Sequence, residues 1–299
     1  MATKLGYSTY ALKTVDPFEA LTKIRRIGYD SIEICMREGW PTYPGNFDIS
    51  SQRSLAKLSE RLGFPSPIFF GSIDVCAPEH SKDEMVKDTL IKFNMAKEFH
   101  YDDTPILITT APGHNAPQWD TGKEKIRDAF LHLGDLASEH GIIIAIEAHA
   151  GTDFETPDKA IWMIEQTNHP NLKLDLDISH FYVEGADLEY SVNLCAPHSV
   201  MVHIKDGVME DGKVKYCLTG EGTIDIPGFI SSLELNSIGN LPIYAEVSVQ
   251  QSDNIDYDPW YTAQFCFDAL DSARSKILNK FPTKVRRTPC AFSALIEID

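Results

Sequence analysis

The chain has 299 residues, 43% of them hydrophobic and 24% charged, with a formal net charge of −17. That length and apolar content are enough for a well-buried core in one domain, and the acidic balance argues against a nucleic-acid or anionic-membrane surface. Six cysteines (Cys35, Cys76, Cys195, Cys217, Cys266, Cys290) are scattered without a Cys-x-x-Cys pair, no apolar run reaches membrane-spanning length and the amino terminus does not read as a signal peptide, so buried free thiols in a reducing cytoplasm are expected.

Short β-rich runs alternate with longer helical patterns. Strands are predicted at Leu5–Tyr10, Ser31–Cys35, Pro67–Gly71, Ile106–Thr110, Ile142–Glu147, Leu172–Asp177, Val200–Lys205 and Ile243–Ser248. Between them, Phe18, Leu21, Ile24 and Ile27 recur at three-residue spacing, and Leu55, Leu58 and Leu62 run to a C-terminal Gly63. Val86, Leu90 and Phe93 begin a longer stripe, and Ile126, Phe130, Leu133 and Ala137 end at Gly141. Thr156-Pro157 reads as a cap followed by proline in the first turn, and Phe265 through Ile277 closes the series. Eight strands alternating with helices predict an α/β fold, a (β/α)8 TIM barrel over residues 1–278, with 279–299 as a C-terminal extension carrying Lys280, Lys284, Arg286 and Arg287. A doubly wound sheet is the alternative, but the first strand runs into Ser8-Thr9-Tyr10-Ala11 and not into a Gly-rich phosphate turn.

Four of the strand runs carry a charge or an imidazole near their ends: Glu147, Asp177, His203 and Glu246. A charge in an apolar β-branched run is costly to bury unless it is paired or binds a metal. In a parallel barrel these ends open on one face, so residues from strands five to eight are expected to converge there. Three carboxylates and one imidazole suit Mn²⁺, Zn²⁺, Fe²⁺ or Co²⁺; ordinary salt bridges or strand ends in water are the plainer alternatives. Period two adds His149 beside Glu147, Lys205 beside His203, and Asp175 one layer below Asp177, while His180 belongs to the turn leaving strand six. Trp40, Tyr43 and Phe47 lie in the loop after strand two; His114 and Trp119 lie after strand four. These rings are candidates for stacking on a sugar or an aglycone, with loop packing as the alternative reading.

At these residues the chain resembles the xylose isomerase-like superfamily of sugar phosphate isomerases and epimerases. The likeness covers most of residues 4–278. It is carried by Leu5-Gly6-Tyr7-Ser8-Thr9, Gly28-Tyr29-Asp30-Ser31-Ile32-Glu33-Ile34, Glu147-Ala148-His149-Ala150-Gly151-Thr152, Leu176-Asp177-Ile178-Ser179-His180, His203-Ile204-Lys205-Asp206 and Gly220-Glu221-Gly222-Thr223-Ile224-Asp225-Ile226. The resemblance implies Glu147, Asp177, His203 and Glu246 as ligands of one divalent ion, usually Mn²⁺, with Co²⁺, Zn²⁺, Fe²⁺ or Mg²⁺ as alternatives. It further implies His180 as a partner of a substrate hydroxyl, and Glu147 and Glu246 as an acid/base pair. The chain departs from the tagatose-type epimerases, which place an arginine where this chain has Met209. It also departs from the nuclease branch, having no Asp-x-His between His203 and Glu246.

A divalent ion beside a carbonyl eases removal of the neighbouring carbon-bound proton, and a placed carboxylate or the His149 imidazole can take that proton. Three outcomes share this beginning: isomerisation, epimerisation and β-elimination. The leading expectation is a sugar isomerase or epimerase. The second is a lyase on an oxidised 3-keto sugar, such as a C-glycoside deglycosidase or an inosose dehydratase, and the third is a non-catalytic sugar-binding barrel. The expected partner is a small sugar or sugar glycoside. Barrels of this superfamily commonly associate as dimers or tetramers, so a homo-oligomer is expected, with a second subunit completing the pocket.

Overall fold

The computed structural model describes residues 3–280. Ten strands occur among them: β1 (Leu5–Ser8), β2 (Ser31–Cys35), β3 (Ile68–Phe70), β4 (Ile106–Thr110), β5 (Ile142–Glu147), β6 (Leu172–Asp177), β7 (Ser199–Ile204), β8 (Asp206–Glu210), β9 (Lys213–Cys217) and β10 (Ile243–Ala245). Eight of them close into a parallel barrel in the order β1-β10-β7-β6-β5-β4-β3-β2. The β1–β10 pairing excludes the doubly wound alternative. These strands are buried almost throughout, which is why they read as continuous apolar runs and not as alternating ones.

The outer helices begin where the sequence supplies caps. The Asp16 side chain accepts from the amides of Phe18 and Glu19 ahead of helix Pro17–Ile27, and Thr156 accepts from Lys159 ahead of Pro157–Thr167. Helix Trp119–His140 ends at Gly141, whose φ of 69° is left-handed. Two helices between β6 and β7, Ile178–Val183 and Leu188–Cys195, give too few turns to show a period. The last helix, Pro259–Lys280, runs through the expected boundary at 278. The rest of the extension, with Lys284, Arg286, Arg287 and Cys290, lies outside the described residues. No helix of the described residues is long and apolar enough to cross a membrane.

Directly after β7 the chain makes an antiparallel hairpin, β8–β9, outside the eight expected strands. It turns at Asp211 and Gly212, with φ of 51° and 70°. Asp-Gly between alternating residues is a strong short-range signal for such a turn. The hairpin's base is fixed by Asp206, which accepts amide hydrogen bonds from Gly207 (3.1 Å), Gly220 (3.2 Å) and Ile224 (3.4 Å). A Cβ on Gly222 would lie 2.1 Å from the Asp206 carboxylate, so this turn needs glycine there.

Candidate active site

Strand ends set the positions of the charged groups. Glu147 closes β5 and Asp177 closes β6; Lys205 follows β7 and Glu246 follows β10 by one residue. All four are buried at the C-terminal mouth of the barrel. Two residues earlier on β6 and β7 come Asp175 and His203, and these form a lower layer with Glu33 of β2.

In the mouth layer the Lys205 ammonium donates to the Asp177 Oδ2 carboxylate oxygen and, at 2.9 Å, to Glu246 Oε1. These carboxylates outweigh burial and hold the lysine pKa well above its usual value. Burial, together with the charges of Glu147 and Asp177, outweighs Lys205 and lifts Glu246 to about 7. Burial would lift Glu147 as well, but His180 prevails and holds it down to about 2. The two glutamates, expected as an acid/base pair, thus sit in environments that push their proton affinities apart.

Hydrogen bonding decides the tautomers of the two mouth histidines. His180 Nδ1 lies 3.1 Å from the Ala150 amide nitrogen and 2.7 Å from the Tyr216 hydroxyl. An amide N–H can only donate, so Nδ1 accepts and Nε2 carries the proton. That Nε2–H lies 3.3 Å from Glu147 Oε1 and 3.4 Å from Asp177 Oδ2. His149 stacks on His180 with ring centroids 3.9 Å apart, and its Nδ1 lies 2.8 Å from the Ala150 carbonyl oxygen. A carbonyl can only accept, so Nε2 of His149 is the basic nitrogen. Burial and the neighbouring His180 depress its pKa to about 4, which keeps the ring neutral near pH 7.

The lower layer is a second carboxylate–cation–carboxylate sandwich. His203 Nδ1 lies 2.5 Å from Asp175 Oδ2, which also accepts from the Thr109 hydroxyl at 3.0 Å. His203 Nε2 lies 3.2 Å from Glu33 Oε1. Burial works against the charged ring, but Asp175 and Glu33 hold its pKa well above the usual value. The four expected metal ligands fall into two neighbouring groups of donor atoms, bridged by Lys205 between Asp177 and Glu246. Glu147 and Asp177 group with His180, whereas Glu246 groups with His203 and Glu33, each group having its donor atoms within 4.8 Å of one another. His203 lies two residues before Lys205, near the end of β7, and its donor atom still comes within 4.8 Å of those of Glu246 and Glu33. Glu33 was missed as a site residue, although a carboxylate in the wholly buried run Ser31–Cys35 carries the same signal as the other four.

The donor set nonetheless suits a divalent ion. Asp175 orients His203 through Nδ1 and leaves Nε2 without a hydrogen-bond partner, the arrangement usual for a metal-binding histidine. Glu246 Oε2 and both Glu33 oxygens are likewise buried without partners. Three mouth carboxylates around one ammonium leave an excess of negative charge in a buried site, and a second cation would offset it.

A cavity of about 690 Å³ opens above the mouth. Glu147, His149, Lys205 and Glu246 line it, with Tyr10, Phe70 and Tyr216 as aromatic walls and the exposed His114 at its rim. Trp40 and Trp119, expected to stack on substrate, do not line it. Trp40 stands behind Tyr10, stacked at 5.2 Å with its indole N–H donating to the Tyr10 carbonyl. Trp119 opens helix Trp119–His140 and packs on Phe154 and Trp162. Both indoles gain more from burial than a loop tip would allow. Tyr43 donates to Asp88 and Phe47 packs against the core, away from the cavity. Met209 lies half-exposed on β8. Arg37, its guanidinium 3.0 Å from the Tyr10 hydroxyl, brings a cation to the cavity from a different element.

Known proteins resemble this chain in sequence and fold. Inosose dehydratase of Bacillus anthracis (strain CDC 684 / NRRL 3495) is 30% identical over 100 residues, 33% of this chain and 32% of that protein. The chain thus spans about a third of the length of such curated relatives in the match. L-ribulose 3-epimerase superposes with a TM-score of 0.70 at 18% identity, covering 97% of this chain and 100% of that one. The IOLI protein, solved with a zinc atom, superposes at 0.68 and 21% identity, covering 93% and 99%. At those identities the superpositions speak to fold alone. The family model described as xylose isomerase-like TIM barrel matches residues 21–258, and the chain belongs to that family.

Proposed function

We propose that this protein is a divalent-metal-dependent enzyme that removes a proton from the carbon next to the carbonyl of a keto- or aldo-sugar and returns it, giving an isomer or epimer. The observation that supports this most is the placing of Glu147 and Glu246 on non-adjacent strands, with Asp177 and Lys205 between them, under a cavity of sugar-accepting size. Glu246, His203, Asp177 and Glu147 would hold the ion, which would supply Lewis-acid polarisation of the carbonyl. The oxygen-rich donor set favours Mn²⁺.

The chain's own groups do the rest. A sugar carbon lying between the two glutamates has a carboxyl group on either side, one to take the proton and one to give it. His149 Nε2 is a further base at the cavity wall, and the His180 Nε2–H suits a substrate hydroxyl. Tyr10, Phe70 and Tyr216 exclude water from the sides.

A second reading, dehydration of an inosose or a related oxidised ring, is favoured by the names of the curated sequence relatives. It begins with the same proton removal and differs only in the fate of the next hydroxyl. NMR in heavy water, with ketoses and inososes as probes, tests both. The manganese-loaded protein is expected to place deuterium on the carbon beside the carbonyl, and chelated protein is not. Retention of every oxygen supports isomerisation or epimerisation, and loss of water supports dehydration. A probe that binds without any deuterium uptake contradicts both and leaves a sugar-binding barrel.

A further inference from the structure

We propose that the Lys205 ammonium is a built-in competitor for the metal, which must leave Asp177 before the ion can take that carboxylate. The proposal rests on the metal reading above and adds a role for one side chain.

The carboxylate oxygens of the mouth are unequally engaged. Both oxygens of Asp177 are engaged: Oδ1 accepts the Ser179 amide at 2.9 Å, and Oδ2 accepts Lys205. Glu246 is half engaged, its Oε1 taken by Lys205 at 2.9 Å and its Oε2 buried without a partner. His203 Nε2 and Glu33 Oε1 are an ion-pair contact at 3.2 Å without a formed hydrogen bond, and Glu33 Oε2 has no partner. One side of the donor set is therefore already bare, and the other is closed by a single amine.

An ammonium and a divalent ion cannot share Asp177 Oδ2 at bonding distance, because like charges so close in a buried site repel strongly. Asp177 caps the helix that starts at Ile178 by accepting the Ser179 amide through Oδ1, so Oδ1 is held by the fold. Displacing Lys205 is the smaller change. Its four-carbon stem is flexible, and it lines the cavity, with the Tyr216 ring 5.5 Å from its nitrogen. The displaced ammonium thus turns toward the space a substrate takes. Before that, it offsets the charge of the carboxylates and keeps the metal-free mouth from repelling itself apart.

The test uses the full chain, stripped with chelator, and Mn²⁺ alone as the probe. Calorimetric titration is expected to show Lys205→Met and Lys205→Gln binding Mn²⁺ about 10–100-fold more tightly than the wild type, the gain from removing a competitor that leaves the binding-competent state a minor one. Lys205→Gln keeps a hydrogen-bonding group and covers the case where Lys205→Met fails to fold. Thermal unfolding is expected to show a lower Tm for the metal-free variants and a wider gap between metal-free and metal-loaded protein. Unchanged or weaker Mn²⁺ binding in the variants, with normal binding by the wild type, overturns the proposal and leaves the metal reading standing. A purely structural lysine would lower both Tm values and leave the affinity unmoved. Absence of Mn²⁺ binding in all three proteins overturns the proposal together with the metal reading.

Discussion

The barrel holds two charged sandwiches of the same plan, one above the other. Below, Asp175 and Glu33 enclose His203; above, Asp177 and Glu246 enclose Lys205. The aspartates and the cations are each two residues apart on β6 and β7. The lower cation is a rigid ring between two fully buried carboxylates, Asp175 and Glu33. The upper cation is a flexible amine beside a cavity. The same plan thus has a rigid version, with a ring between Asp175 and Glu33, and a version whose flexible amine the proposal above makes exchangeable for another cation.

The contrast would be broken most clearly at Glu246. Glu246→Gln is expected to cut turnover by about 10²–10⁴-fold while the circular dichroism spectrum stays that of the wild type. A near-normal rate would remove Glu246 from the proton-transferring pair. The lower layer should answer in stability. His203→Leu leaves Asp175 and Glu33 without their cation, and removing one partner of a buried pair costs about 3–5 kcal/mol, to be read from denaturant unfolding. An unfolding midpoint close to that of the wild type would show that His203 is not a structural cation.

Smaller effects sharpen the division between wall and core. Trp40→Ala is expected to cost roughly 3–5 kcal/mol of stability, with a KM change no larger than that caused by loosening Tyr10. A large loss of substrate binding at unchanged stability would return Trp40 to the cavity. Tyr216→Phe removes one hydrogen bond to His180 and is expected to lower kcat/KM by roughly 3–30-fold. Far from the site, Asp102 gives a pH reference. Burial would raise its pKa, but hydrogen bonds from Thr104 and Ser66 hold it down to about 2. A depressed carboxylate stabilises above its unfolded pKa and loses that contribution as pH falls toward its folded value. Asp102→Asn should therefore lower the unfolding free energy by about 1 kcal/mol or less at pH 7, solvent screening keeping the effect small, and the difference from the wild type should vanish as the pH approaches 2.

Much of the fold was legible because parallel barrel strands are buried on both faces and so stand out as apolar runs. Ser31–Cys35, Ile106–Thr110, Ile142–Glu147 and Leu172–Asp177 match the expected bounds. The hairpin, absent from the expected elements, carries its own turn signal in Asp211-Gly212. The site was harder. His203 and Lys205 both point inward, and the sequence does not say which of two such residues reaches the mouth. That depends on strand tilt and on the register shift between Leu174 and Asp175, where β6 meets β7. Both are properties of closure. Glu33 lies far from the other site residues in the chain and joins them only because the closed ring carries β2 round to them. The tryptophans misled because loop position says nothing of which way a large ring turns, and burial decided it.

The central claim is that the mouth of the barrel binds one divalent cation. Crystals of the full chain soaked in Mn²⁺, with data collected at the manganese absorption edge, test it most directly. One anomalous peak bonded to Glu246 and Asp177, with Lys205 withdrawn from Asp177, is the expected result. No peak at the mouth, with Lys205 still seated between Asp177 and Glu246 at saturating Mn²⁺, would contradict it.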